Sequence, residues 1–174
     1  NESKLMVWNI TESINQQATL YEKTVSYPWR DKSPATYSAI FMLRPDTLLA
    51  YMPSVHISKE DRLTLPKYEL RTYSANKKIR DICIFQNLEN NEKSSVLPEK
   101  FFSTSRCLKP DGTKLVEAMF YLAQINIIDI HSDRIDGYIM KGTDGYSIFQ
   151  TDMKDAKCYY SRVKCTDEYI FALW

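Results

Sequence analysis

The sequence predicts an all-β domain: an eight-stranded antiparallel up-and-down barrel with a short helix at its N-terminus. Short runs rich in β-branched and aromatic residues recur along the 174 residues, and turn residues separate them, as is typical of antiparallel strands. Frequent hairpin signals favour a closed barrel, because closure leaves no strand edge unpaired. A β-sandwich is the alternative, although the Cys…Trp…Cys pattern of immunoglobulin domains is missing.

The length is that of a single domain, which we expect to span residues 1–174. Residues 1–17 are expected to form a helical segment before the barrel, because Leu5, Trp8 and Ile14 stand among polar residues at helical spacing. The barrel is expected to occupy residues 18–174.

Strand-like alternation marks the first half of the barrel, in residues 18–26, 35–44, 47–57, 67–75 and 80–86. Turn residues follow at Arg44-Pro45-Asp46, Pro110-Asp111-Gly112 and Thr143-Asp144-Gly145. Residues 113–128 are apolar on nearly every face. Long strands are expected there, with a helix over 113–124 as the alternative.

Charge and motifs argue against several function classes. The chain has 23 basic and 22 acidic residues, so no excess charge points to nucleic acid. No apolar run approaches the ~20 residues of a membrane span. Motifs for a nucleophile elbow, a zinc protease or a phosphate loop are missing, and the adjacent His131-Ser132-Asp133 cannot form a triad. We therefore expect no enzyme, no catalytic residue, no metal and no cofactor.

The cysteines bear on the compartment. Cys83, Cys107, Cys158 and Cys165 fit two disulfides, with three possible pairings. Zinc ligation is disfavoured by their wide spacing. Asn9 begins an N-glycosylation sequon. Together these features predict a secreted, extracellular protein, and the missing initiator methionine suggests a processed mature form.

The end of the chain resembles the C-terminal half of lipocalins. A strand ends in Thr151-Asp152, a second strand covers 158–163, and an aromatic-rich strand covers 169–174. The sequence is most similar to the salivary lipocalins of ticks, with Trp8 in a helical start and Leu20-Tyr21 opening the first strand. The general Gly-x-Trp signature is not evident. In the family a helix and a further cysteine usually follow the barrel, and the final Trp174 leaves no room for them here. The family's disulfide pattern is therefore not carried over.

The resemblance also discriminates between ligands. Tick lipocalins that bind amines carry acids at two positions occupied here by Tyr159 and Ala172. A protonated amine inside a barrel needs an opposite charge to offset its desolvation, so histamine or serotonin binding is only a lesser alternative. Four other acids could face the interior, and each is expected to face solvent instead: Glu22, Glu69, Glu117 and Asp129.

The expected pocket is lined by aromatic and aliphatic side chains that share faces of the predicted strands. The candidates are Tyr37, Phe41, Leu43, Leu49, Tyr51, Tyr68, Leu70, Met119, Tyr121 and Tyr159. Each could also be an ordinary core residue.

The resulting hypothesis is a secreted lipocalin that sequesters a sterol, fatty acid or eicosanoid. Sterol is favoured because no basic cluster suited to a carboxylate is recognisable. By resemblance to tick saliva proteins it would modulate host inflammation or immunity. The alternative is a module that binds a host immune protein through its loops, with the barrel as scaffold.

Overall fold

A computed structural model describes residues 3–8, 21–27, 39–53, 55–57, 62–75, 77–84, 102–141 and 157–174. Within these ranges the chain forms fourteen strands and no α-helix. The strands are β1 Ser3–Trp8, β2 Tyr21–Tyr27, β3 Ala39–Arg44, β4 Thr47–Met52, β5 Val55–Ile57, β6 Arg62–Thr64, β7 Lys67–Thr72, β8 Lys78–Cys83, β9 Thr104–Leu108, β10 Lys114–Met119, β11 Gln124–Asp129, β12 Ile135–Ile139, β13 Arg162–Cys165 and β14 Ile170–Leu173.

Every strand pairing is antiparallel, which confirms the predicted class. Two sheets have four strands each, in the orders β3-β4-β7-β8 and β12-β11-β10-β9. Three ribbons of two strands, β1-β2, β5-β6 and β13-β14, complete the described strands. The two four-stranded sheets are therefore separate from each other, and the closed eight-stranded barrel is not confirmed.

The prediction of an N-terminal helix is wrong for residues 3–8, which the structure describes as strand β1. β1 pairs with β2 from Ser3 opposite Tyr27 to Trp8 opposite Tyr21. The continuous apolar run from Leu5 to Trp8 suits a strand, because it offers side chains to both faces of a pleated ribbon. Residues 9–17 and the sequon at Asn9 lie outside the described residues.

The apolar segment 113–128 forms a hairpin of β10 and β11, so the strand prediction is confirmed and the helix alternative is wrong. Five of the six residues of β10 are buried. A strand buried on both faces is mostly apolar and lacks the alternation of a half-exposed strand, which is why this segment shows no clear period.

The core lies between the two four-stranded sheets. Leu49, Tyr68 and Ile82 from the first sheet pack against Leu115 and Ile128 from the second. We call the space between these facing surfaces the interior. Because strand side chains alternate, every second residue of β4, β7, β9, β10 and β11 points into the interior.

The β13–β14 ribbon covers the opposite, outer face of the second sheet. Tyr160 and Val163 pack against Val116 and Ala118 there, and the Val163 amide donates to Ser105 Oγ at 2.9 Å. In the described residues β14 pairs with β13 alone. The final aromatic strand was expected to lie in the barrel wall, but it lies in this covering ribbon.

A disulfide fixes the ribbon to the sheet. Cys107 of β9 and Cys165 of β13 are joined, 58 residues apart in sequence and 6.1 Å apart at Cα. Cys158 is exposed and has a free thiol. The prediction that this cysteine forms a second disulfide is therefore wrong. Cys83 is half-buried at the end of β8.

Four tight turns meet at one end of the two sheets, which we call the turn end. The described residues of these turns are 45–46, 73–75 together with 77, 109–113 and 130–134. The Tyr73 amide donates to the Asp46 carbonyl, and Arg80 is paired with Asp133 across the two sheets. The predicted turns at 44–46 and 110–112 are therefore confirmed, and the third, at 143–145, lies outside the described residues.

Candidate functional site

Strand register places three polar side chains in one row across the interior face of the second sheet. Glu117 of β10 lies opposite Arg106 of β9 and opposite Asn126 of β11. We call these three residues the polar row. The next row toward the turn end is apolar and contains Leu108, Leu115, Ile128 and Ile135.

Two tyrosines of the first sheet face the polar row. Tyr51 of β4 and Tyr68 of β7 are cross-strand partners, and their ring centroids are 5.0 Å apart. Tyr68 is fully buried. The tyrosines and the polar row together form an aromatic and charged layer above the apolar row.

Glu117 is the centre of this layer, with only 1% of its surface exposed. Its Oε1 accepts hydrogen bonds from the Tyr68 hydroxyl at 3.0 Å, from the Thr104 hydroxyl at 2.9 Å and from Arg106 Nε at 3.2 Å. A buried carboxylate requires such partners, because leaving its charge uncompensated would be costly.

Arg106 supplies the compensating charge and also holds the tyrosines in place. Its Nε donates to the Tyr68 hydroxyl at 2.8 Å, and its guanidinium carbon lies 3.4 Å from the centroid of the Tyr51 ring. Such stacking is a favourable cation–π contact. Burial lowers the pKa of Arg106, but the interactions with Tyr68, Tyr51 and Glu117 outweigh this effect and raise the pKa overall, so the side chain stays charged.

Both tyrosine hydroxyls stay protonated at neutral pH. Burial raises the pKa of Tyr51 to about 12, even though the Arg106 charge lowers it. Burial, followed by the negative charge of Glu117, raises the pKa of Tyr68 well above its ordinary value. Tyr68 therefore acts as a donor to Glu117 and as an acceptor from Arg106.

Two atoms of the polar row are buried and lack a hydrogen-bond partner among the described residues: Glu117 Oε2 and Asn126 Nδ2. Asn126 Oδ1 accepts from Gln124 Nε2 at 2.6 Å, which assigns Nδ2 to the other side of the amide. An unpaired buried polar atom costs about 1–3 kcal/mol. The row thus presents one free acceptor and one free donor on adjacent strands.

The predicted pocket residues that the structure describes fall into three groups. Those in or beside the interior core are Phe41, Leu43, Leu49, Tyr51, Tyr68, Leu70 and Met119. Tyr121 lies in the turn between β10 and β11, against Phe120. Tyr159 packs on the outer face, 5.8 Å from the Trp174 ring, so the structure does not bring it to the interior. Tyr37 lies outside the described residues.

The expectation that the four acids face solvent is wrong for two of them. Glu117 is interior, and Glu69 is fully buried on the other face of β7, where Arg71 Nη1 lies 2.7 Å from its carboxylate. Asp129 is partly exposed, and its carboxylate accepts from the amides of the following turn. The side chain of Glu22 is outside the described part of the structure.

Sequence reasoning missed Arg106, Thr104 and Asn126. A signal was present, because Glu117 and Asn126 are isolated polar residues inside an otherwise apolar segment. A polar residue at a core position needs a partner. Two of the partners of Glu117, Thr104 and Arg106, come from β9, however, and only the register of the folded sheet identifies them.

A cavity of about 340 Å³ lies at the turn end, where Leu43, Leu70, Ile79, Arg80 and His131 are among the lining residues. Two of the charged groups there, Arg80 and Asp111, already have partners. Arg80 binds Asp133 and the Ile130 carbonyl, and Asp111 binds Lys109 at 2.5 Å. The polar row is the stronger candidate because two of its buried atoms are unpaired.

The described residues lack both metal-ligand groups and membrane-spanning helices. They contain no group of three His, Cys, Asp or Glu side chains that could hold a metal ion. They also contain no helix of the length and hydropathy needed to cross a membrane.

No model of a known protein family matches the sequence, and none of the curated proteins matches it.

Proposed function

We propose that the protein is an extracellular carrier that binds a small hydrophobic ligand in the interior between its two four-stranded sheets. The observation that carries this proposal is the polar row with two unpaired buried atoms inside an otherwise apolar interior. Ligand pockets are typically apolar with a few converging polar groups that fix orientation. A sealed structural core usually pairs nearly all of its polar groups, so two unpaired atoms side by side in one row favour a ligand-binding interior.

The charges of the site favour a neutral ligand over an ionic one. Arg106 and Glu117 carry opposite charges in direct contact, so the site as a whole is close to neutral. An amine would be attracted by Glu117 but repelled by Arg106, and a carboxylate would meet the reverse. This balance supports a sterol ahead of a fatty acid, a carboxylate eicosanoid or an amine.

The compartment and the family belong to the same proposal. The Cys107–Cys165 disulfide is compatible with an oxidising, extracellular environment. The two facing sheets contain eight antiparallel strands, the number that a lipocalin barrel requires. By resemblance to tick salivary lipocalins, the carrier would remove a lipid mediator or membrane sterol from the host and so modulate its immunity.

Solvent extraction of the purified, folded protein followed by mass spectrometry tests the proposal. The expected result is a sterol or other neutral lipid in near-stoichiometric amount, and uptake of that lipid when it is added back to delipidated protein. If the extract is empty and neither sterol, fatty acid, eicosanoid, histamine nor serotonin is taken up, the carrier function is wrong.

A matched pair of variants locates the binding. Met119→Trp enlarges a fully buried side chain on the interior face, whereas Tyr138→Trp changes an exposed side chain on the outer face of the same sheet. Binding in the interior predicts loss of uptake in the first variant and normal uptake in the second. Circular dichroism confirms that both variants are folded. Equal uptake by both would place the ligand elsewhere.

A further inference from the structure

We propose that the ligand is an alcohol whose hydroxyl group binds Glu117 Oε2 and Asn126 Nδ2 at the same time. The inference rests on the proposed carrier function and names the chemical class of its ligand. It follows from the pairing of one unsatisfied acceptor with one unsatisfied donor.

The spacing of the two side chains suits a single oxygen atom. Glu117 and Asn126 are directly opposite each other on β10 and β11, and the Cβ atoms of such cross-strand partners lie about 5 Å apart. An oxygen between the two side chains can donate to the carboxylate and accept from the amide, with ordinary lengths of about 2.7–2.9 Å for each bond.

The chemistry of the two atoms selects among polar groups. A carboxylate oxygen only accepts, and an amide nitrogen only donates. Of the common lipid groups, a hydroxyl offers both the donor and the acceptor that this pair requires. A ketone or an ether has no donor for Glu117, a carboxylate would lie against the Glu117 charge, and an ammonium has no acceptor for Asn126.

The rest of the network keeps Glu117 Oε2 available. Tyr68, Thr104 and Arg106 all bind the other oxygen, Oε1. Met119 is the next residue of β10 on the same face and is fully buried. Its unbranched side chain adapts readily to a new neighbour, so it is the group most able to make room for a ligand at this position.

Binding of matched lipids to the wild-type protein is the first test. The probes are cholesterol, its methyl ether and its ketone, together with hexadecanol, hexadecanoic acid and hexadecylamine. On each scaffold that binds, we expect the alcohol to bind roughly tenfold or more tightly than its analogues, because each analogue loses the hydrogen bond either to Glu117 or to Asn126.

Two variants separate the roles of the two atoms. In Glu117→Gln the three donors on Oε1 hold the amide oxygen there, so the amide NH₂ takes the place of Oε2. We expect the alcohol preference to disappear and hexadecanoic acid to gain affinity, since Arg106 then lacks its counter-charge. Asn126→Leu removes the donor and should weaken alcohol, ether and ketone alike.

Glu69→Gln is the matched control. Glu69 is also a fully buried glutamate next to an arginine, but it lies on the other face of β7 from Tyr68. This variant should keep the alcohol preference. Binding of all probes with equal affinity, or an unchanged preference in Glu117→Gln, would overturn the inference and leave the carrier function standing. Failure of every probe to bind would overturn both.

Discussion

Replacing Tyr68 by phenylalanine tests whether the buried network holds the two sheets together. The Tyr68 hydroxyl accepts from Arg106 at 2.8 Å and donates to Glu117 at 3.0 Å, so it links the first sheet to both charges of the second. Tyr68→Phe removes this link and leaves the ring in place. The side chain is fully buried, so water does not replace the lost hydroxyl.

The size of the expected loss in unfolding free energy depends on the contacts that Arg106 and Glu117 keep in Tyr68→Phe. A hydrogen bond to a charged group contributes about 1.5–3 kcal/mol. After the change, Arg106 and Glu117 still contact each other at 3.2 Å and Thr104 still donates to the carboxylate, so neither charge is left alone. We therefore expect the free energy of unfolding to fall by about 2 kcal/mol, a change of roughly 30-fold in the folding equilibrium.

Urea denaturation followed by circular dichroism at neutral pH measures this change. Tyr160→Phe is the control, because Tyr160 is also buried but its hydroxyl forms no hydrogen bond among the described residues. The control should change stability by less than about 0.5 kcal/mol. A double-mutant cycle of Tyr68→Phe with Glu117→Gln should give a coupling energy of about 1 kcal/mol or more. Equal effects of the two tyrosine changes, with no coupling, would refute the role assigned to Tyr68.

Three further predictions concern stability. Above pH ~10 Tyr51 should lower the free energy of unfolding by about 1.4 kcal/mol per pH unit until pH ~12, because the unfolded state releases the Tyr51 proton first; Tyr51→Phe should reduce the alkaline slope by this amount in urea titrations, and the part due to Tyr68 should remain. Loss of the disulfide through Cys107→Ser and Cys165→Ser should cost about 4 kcal/mol for its 58-residue separation, whereas Cys158→Ser should have almost no effect by thermal denaturation. Gly112→Ala should cost about 1–2 kcal/mol, since its φ is +73° and a Cβ would lie 3.2 Å from a backbone oxygen of β3.

A specific result would contradict each of these three predictions. An alkaline slope that is the same in wild type and Tyr51→Phe would show that another group controls it. Thermal midpoints that are equal in the Cys107→Ser/Cys165→Ser and Cys158→Ser variants would show that the disulfide does not stabilise the fold. A Gly112→Ala variant as stable as wild type would mean that the turn after β9 tolerates a side chain.

The sequence was most informative where local chemistry decides the structure. Alternation in 35–44, 47–57 and 67–75 matches β3, β4 and β7, and the Pro-Asp turns lie where proline and aspartate suggested. The N-terminal strand was mistaken for a helix because Leu5 and Trp8 also fit helical spacing. Periodicity cannot separate the two for such a short apolar run.

The candidate site depends on relationships that no local pattern contains. Tyr51 and Tyr68 could be identified as core residues from strand alternation. That they face Glu117 depends on the packing of one sheet on another, and that Arg106 lies beside Glu117 depends on the register between β9 and β10. Because one residue of slip would turn Glu117 to the outer face, these contacts follow from the whole fold.

Alternation within β9 also links the two sides of the second sheet mechanically. Thr104 and Arg106 point into the interior, while Ser105 and Cys107 point outward, where they are bonded to the C-terminal ribbon. The disulfide is therefore attached to the residue next to Arg106, whose guanidinium balances the charge of Glu117. A reducing environment that releases the ribbon would let this edge strand shift, and the proposed selectivity for an alcohol would decline before the fold itself is lost.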